Sequence, residues 1–364
     1  MDRLSQIAAR FDIDGDVVSV SPLGNGLIND TYKVVTSLRE EPSYVLQRIN
    51  HAIFTDVELL QNNIDEVTSH IRHKLEKKGV SDVDRKVLTY VKDKIIGKSY
   101  YFDGENYWRV SVFIPGAVSP EAVTPESARR AGEAFGNFQS MLADIEKPLG
   151  ETIPGFHSMV LRLKQLDDAV RLDPVKRVAE VADLLEFINE RRDKMTFAER
   201  LESQGMLTKR LCHCDTKVNN MMFDSKTDEF LLVIDLDTVM PSYVFSDYGD
   251  FLRTAASTVA EDDPNLDKVG FNSEIFKAFT EGYLKGADFL TDVEIKNLPE
   301  GVMLFPYMQG VRFLTDYING DTYYKIKYPE HNLVRARNQF KLLESIEKQL
   351  PEIGQYISSL KSLN

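Results

Sequence analysis

The chain has 364 residues, 43% of them apolar, and its 57 acidic side chains outnumber 44 Lys and Arg to give a formal charge of −13. That is the make-up of an ordinary globular protein, and it is long enough for two cores, since single cores stop growing near roughly 250–300 residues. It excludes a general nucleic-acid binder, which needs a basic surface to neutralise phosphate, and a membrane protein, which needs a run of about 18 apolar residues that this sequence lacks.

The chain starts Met1-Asp2-Arg3-Leu4-Ser5. Without a basic and apolar leader this start predicts no export, and a cytoplasmic location follows as the expectation. Three short runs at 17–20, 31–36 and 44–49 are rich in β-branched and aromatic residues and read as a strand meander. The segment Pro22-Leu23-Gly24-Asn25-Gly26-Leu27-Ile28-Asn29-Asp30 lies between the first two. Its glycines let backbone N–H groups approach an anion, so Gly24, Asn25, Gly26 and Asn29 are candidates for holding nucleotide phosphates. The third run carries Gln47-Arg48 and no lysine to serve as a phosphate-facing cation. Arg48 is the first candidate for the missing cation, with Gln47 as the position concerned if the register differs by one.

Val57, Leu59, Leu60, Ile64, Val67, Ile71 and Leu75 recur at roughly helical spacing up to a stop at Gly79. Asp65 or Glu66 on that helix is the expected carboxylate partner of the strand cation. Runs at 98–102 and 107–114 flank Asp103-Gly104, a strong hairpin signal, and the strand end Val112-Phe113-Ile114 is expected to contact the nucleotide. Pro115-Gly116 then closes the β-rich part, which places a lobe boundary near residue 115. Beyond it, patterns at 127–142, 159–172, 248–259, 273–284, 304–318 and 332–350 read as helices. The fold class expected is α+β: a small antiparallel β lobe with one helix over 1–115, and a larger, mostly helical lobe over 116–364.

The most informative segment lies inside the helical part. Leu211-Cys212-His213-Cys214-Asp215-Thr216-Lys217-Val218-Asn219-Asn220 is followed by Val233-Ile234-Asp235-Leu236-Asp237-Thr238. Phosphoryl transfer needs a carboxylate to take the acceptor proton, a cation near the transferred group and oxygen donors for a divalent ion, and this order supplies all three. Asp215 is the candidate base and Lys217 the cation. Asn220 and Asp235 are the candidate Mg²⁺ ligands, with Asp237 as a further ligand or substrate contact. The Cys-His-Cys-Asp run does not read as a zinc site, because neighbours in a strand point to opposite faces. Cys212 and Cys214 are also too close for an ordinary disulfide. Asp247 is expected to brace the catalytic loop, and Ser246 to cap the helix it begins.

These residues carry a resemblance. The segments around Asp215 and Asp235 resemble the aminoglycoside-phosphotransferase and choline-kinase superfamily, which has a protein-kinase-like fold. The runs 24–32, 44–50, 271–282, 312–317 and 328–335 are similar to the N-acetylhexosamine 1-kinases. That resemblance implies ATP- and Mg²⁺-dependent phosphorylation of the anomeric hydroxyl of N-acetylglucosamine or N-acetylgalactosamine, with Asp215 as base, Asp235 on the metal, and Arg312, Asp316 and Tyr317 in the sugar pocket. It implies ATP and a small sugar as the partners, and a monomer is expected. Kinases of choline, ethanolamine, aminoglycosides or other small alcohols remain the alternative reading.

Overall fold

The computed structural model describes residues 2–24, 29–38, 43–120 and 122–361. Its chain forms two compact units, the first made of residues 1–120, 144–154 and 219–240, the second of 121–143, 155–218 and 241–364. A single cut near residue 115 was expected, but two later segments return to the first unit.

Helix α1 (Arg3–Ala9) starts where the Asp2 carboxylate accepts the Ser5 N–H at 2.9 Å. Strands β1 (Val17–Pro22), β2 (Asp30–Thr36) and β3 (Tyr44–Ile49) follow, then α2 (Val57–Lys77), β4 (Tyr90–Val91), β5 (Tyr101–Phe102), β6 (Tyr107–Val112) and β7 (Ala117–Val118). The sheet order is β1-β2-β3-β6-β4, with β5 also on β6, and every pairing is antiparallel. Alternation along the strands sends Val34, Leu46, Trp108 and Val110 into a core closed by Ile7, Ala8 and Phe11 from the N-terminal segment. β6 has partners on both edges, so four of its six residues, Arg109 among them, are buried.

Helix α2 buries Leu60, Ile64, Val67 and Ile71, as the spacing predicts, and its first turn is capped by Asp56. Gly79, at φ +69°, lies just beyond its end.

The second unit begins with α3 (Pro125–Leu142), opened by a reciprocal cap between Thr124 and Ser127, and continues through α4 (Met159–Leu172), α5 (Ala182–Met195), α6 (Phe197–Ser203) and the short strand β8 (Arg210–Cys212). The chain then returns to the first unit with β9 (Met221–Asp224) and β10 (Phe230–Val233), a hairpin whose β9 pairs with β7. This pairing, made by residues far apart in sequence, is what the single boundary missed.

Helices α7 (Phe245–Ala255), α8 (Ser273–Gly286), α9 (Asp292–Lys296), α10 (Leu298–Ile318) and α11 (His331–Lys361) complete the second unit. α3 and α8 meet on glycines: a Cβ on Gly282 would lie 1.9 Å from the Arg129 carbonyl oxygen. α10 is buried on nearly all sides, which is why its sequence is apolar without a clear polar face.

Candidate active site

In the second unit, β8 leads into the loop that carries Asp215. His213 is buried edge-on against the rings of Phe135 and Phe138. Cys214 takes a left-handed conformation, φ +61°, which costs a non-glycine residue about 1–2 kcal/mol and must be held by its surroundings. Asp247 holds it: its carboxylate oxygens accept the N–H of His213 and of Cys214, each at 2.8 Å, and its carbonyl accepts the Thr216 hydroxyl at 2.8 Å. Burial pushes the Asp247 carboxyl up to about 6, against the opposing pull of His213 and the two N–H groups. The expected brace is therefore in place. Ser246 does not cap α7, which begins one residue earlier; its hydroxyl pairs with that of Ser242.

Asp215 leaves this loop partly exposed, 2.6 Å from the Lys217 ammonium. Burial works against the Lys217 charge, but the Asp215 carboxylate outweighs it and holds the amine above its ordinary range. Asp250, on the helix that carries Asp247, is buried and raised, first by burial, with the nearby Arg253 pulling the other way and the Asp215 charge adding to the rise. Asp215, Lys217, Asp250 and Arg253 thus form one electrostatic cluster.

In the first unit, the β9–β10 hairpin joins the two expected metal donors. Met221 pairs with Val233, and the Ile234 N–H reaches the Asn220 carbonyl at 2.9 Å, so Asn220 enters the hairpin beside the point where Asp235 leaves it. Asp235 takes φ +61°, ψ +56°, a left-handed carboxylate position outside regular structure. An amide and a carboxylate at adjoining backbone positions are hard oxygen donors of the type that suits Mg²⁺, which keeps waters and substrate phosphates for its remaining positions. Among the described residues no group of three or more His, Cys, Asp or Glu is placed to hold an ion by protein ligands alone.

Asp237 has a different set of partners from the one expected. It is 2% exposed, with one oxygen 2.6 Å from Arg109 Nη1 and the other accepting from Asn29 Nδ2 at 2.6 Å, so both are engaged inside the unit. Thr152 donates to its carbonyl at 2.9 Å. Arg109 was not foreseen at all. β3 and β6 pair so that Gln47 lies opposite Arg109, and Gln47 accepts the Arg109 Nε–H at 2.9 Å. Gln47 is therefore the β3 residue on this face. Arg48, its neighbour in the strand, faces the other way and bonds Asp30 and Asn106. Nor do the expected α2 carboxylates meet it: Asp65 bonds Lys92 and Ser99, and Glu66 pairs with Lys147.

Of the glycine-rich segment, Gly24 lies at φ +67° and Asn29 is buried, bonding both Asp237 and the Asn50 N–H; Asn25 and Gly26 lie outside the described residues. At the end of β6 the N–H groups of Val112 and Phe113 bond the carbonyls of Thr89 and Ser43, and Ile114 accepts from Ala117.

The helices of the second unit hold a cationic cluster. Arg312 bonds Gln309 at 3.1 Å and stands over the rings of Phe156 and Tyr324. Arg162 donates to the Phe156 carbonyl and to Gln165. Neither meets a carboxylate among the described residues. Burial, and then the charge of Arg312, push the Arg162 guanidinium down to about 10. His157, adjoining both, is held well below its ordinary range by burial and then by Arg312, Arg162 and Arg253. Through Arg253 this cluster is continuous with the charges around Asp215.

Asp316 and Tyr317, expected beside Arg312, serve the framework instead. The Asp316 carboxylate accepts three successive N–H groups, of Thr322, Tyr323 and Tyr324, and the Asn332 amide. Tyr317 is buried, with its hydroxyl on Glu180 and Arg177 over its ring.

Several solved structures share this fold. An aminoglycoside phosphotransferase from Alicyclobacillus acidocaldarius superposes with a TM-score of 0.64 at 11% identity, over 97% of this chain and 96% of its own. An amicoumacin kinase, solved with AMP-PNP, Ca²⁺ and Ami, gives 0.57 at 15% identity over 96% and 94%. A microcompartment-associated aminopropanol kinase gives 0.55 at 18% over 96% and 98%. These likenesses establish a kinase-like α+β fold. The sequence model of the APH phosphotransferase enzyme family matches residues 19–284, well over half of the chain, and the protein belongs to that family.

Proposed function

We propose that this chain is an ATP- and Mg²⁺-dependent kinase that phosphorylates the anomeric hydroxyl of an N-acetylhexosamine, either N-acetylglucosamine or N-acetylgalactosamine, to give the sugar 1-phosphate. The observation that carries the choice of acceptor is the pair Arg162 and Arg312. Two guanidinium groups without carboxylate partners among the described residues, close enough to act on each other, repel an ammonium ion. They suit an acceptor rich in hydroxyl and amide oxygens, toward which Arg312 directs fixed N–H donors. The structurally similar proteins include a kinase of an amine acceptor by name, the aminopropanol kinase, and this cluster argues against an acceptor of that kind here.

The division of labour follows from the chain. Asn220 and Asp235 are the residues that would hold Mg²⁺, which when bound neutralises the oxygens of the nucleotide phosphates. Gly24 and Asn29 are assigned to those phosphates, and the strand end at Val112, Phe113 and Ile114 to the base. Asp215 orients the anomeric hydroxyl and accepts its proton as the oxygen bonds to the γ-phosphorus and the bond to the leaving ADP oxygen breaks. Lys217 keeps the Asp215 carboxylate aligned. The test is ADP release with N-acetylglucosamine and N-acetylgalactosamine beside glucosamine, choline and ethanolamine. Turnover with the acetamido sugars and little with the three cationic acceptors is expected; a preference for any cationic acceptor overturns the reading.

A further inference from the structure

The reaction outlined above makes no use of Arg109, a buried charge. Arg109 is 1% exposed on the central strand, its charge sustained by the Asp237 carboxylate against the cost of burial. Three otherwise separate parts of the first unit converge on it. Gln47 of β3 receives its Nε–H and passes the chain on to the Thr31 hydroxyl at 3.2 Å. Asp237, two residues past Asp235, is ion-paired with Arg109, Oδ1 lying 2.6 Å from Nη1. Asn29, at the foot of the glycine-rich segment, binds the second oxygen of the same Asp237. The Tyr90 ring packs against the guanidinium, and burial pushes its phenol up to about 12, so it stays neutral beside the pair.

We propose that Arg109 is a positioning residue that fixes the metal-bearing turn, standing in for the cation that β3 does not carry. The argument is geometric. Asp235 sits in the left-handed region, which a non-glycine residue enters at some cost although Asp tolerates it better than most, and the turn is held by its surroundings. Leu236–Thr238 form a single tight turn directly after it, and the buried Asp237 inside that turn is the point at which the sheet grips it. Gripping Asp237 from β6 and from Asn29 together ties the carboxylate that meets the metal to the segment that meets the phosphates. The inference rests on the kinase reading only in taking Asp235 as the metal carboxylate.

Removing Arg109 alone leaves Asp237 buried and unpaired, so the decisive variant is the neutral pair Arg109→Gln/Asp237→Asn, with Arg109→Lys as the conservative change. Two readouts are needed. In the ligand-free protein, amide hydrogen exchange over residues 234–239 should quicken about tenfold or more in the neutral pair, the factor expected for losing one charge-assisted contact, while the rest of the sheet is unchanged. In calorimetric titration with ADP, the gain in affinity brought by Mg²⁺ should shrink by a similar factor, with metal-free ADP affinity kept within about twofold, and Arg109→Lys should recover part of the gain. A folded neutral pair with normal exchange in the turn and an undiminished Mg²⁺ effect overturns the inference. So does an equal loss of metal-free ADP affinity, which would make Arg109 a direct nucleotide contact. If the wild type shows no Mg²⁺-dependent ADP binding, the kinase reading fails, and the exchange measurement still decides whether Arg109 positions the turn.

Discussion

Asp247→Asn should separate activity from stability, and the structure gives the size of both effects. The carboxylate accepts two loop N–H groups at 2.8 Å each. Asparagine keeps one acceptor and turns an NH₂ toward the other N–H, which costs about 1–3 kcal/mol for a buried donor left unmade. The opposing effect comes from burial. With its carboxyl pushed up from 3.8 to about 6, Asp247 holds its proton more tightly folded than unfolded. Its contribution to stability is therefore complete below about pH 4 and lost as pH rises through about 6, a cost of about 3 kcal/mol at pH 8 that neutral asparagine avoids. The two effects nearly cancel, and the variant should melt within a few degrees of the wild type at pH 8. Activity has no such compensation. The freed N–H belongs to His213 or to left-handed Cys214, next to the base, and a misplacement worth 1.4–2.7 kcal/mol in the transition state lowers kcat about 10–100-fold. In the wild type, kcat should also fall below about pH 6, where a protonated carboxyl offers an O–H to a group that needs an acceptor. Steady-state ADP release and thermal melts from pH 5 to 8 measure all of this. An Asp247→Asn protein with wild-type kcat and an unchanged acid limb would refute the reasoning.

Asp215→Asn should fold normally, because the side chain is partly exposed, and lose about 10²–10⁴-fold in kcat; wild-type turnover by the folded variant excludes Asp215 as base. Gly282→Ala should lower the melting temperature without changing activity per folded molecule, since its methyl group meets backbone at 1.9 Å and overpacking of this kind costs about 1–3 kcal/mol or more. Arg312→Gln should raise KM for the acetamido sugar about tenfold, the worth of one hydrogen bond to a charged donor, and leave KM for ATP alone. A rise in the KM for ATP instead would move Arg312 to the nucleotide side.

What could be read from the sequence was set by range. Asn220 and Asp235 meet through one hairpin, a local structure whose register follows from a few residues, and the Asp215 loop lies within five residues of it. Arg109 was illegible because Trp108-Arg109-Val110 looks like a half-solvated strand. It is buried because β6 acquires partners on both edges, and those partners lie up to 68 residues away in sequence, as with Tyr44 and Val112. The partners of Asp237 were hidden for the same reason, since they come from residues 29 and 109. The expectation for α10 began late, at residue 304, because Pro299 and Gly301 look like breakers. At the second position of a helix the missing proline N–H costs nothing, and Gly301 is the close-packing point against Phe245. Arg162 gave no signal among the charged positions of α4; only its burial beside Arg312 distinguishes it.

The central claim is that Asp215 takes the proton of an anomeric hydroxyl as the γ-phosphoryl group of ATP passes to that oxygen. Phosphorus NMR of the product formed from ATP, Mg²⁺ and N-acetylglucosamine or N-acetylgalactosamine tests it most directly. The account predicts a phosphate coupled to the anomeric proton, absent with Asp215→Asn; a 6-phosphate, or no sugar phosphate from either hexosamine, would contradict it.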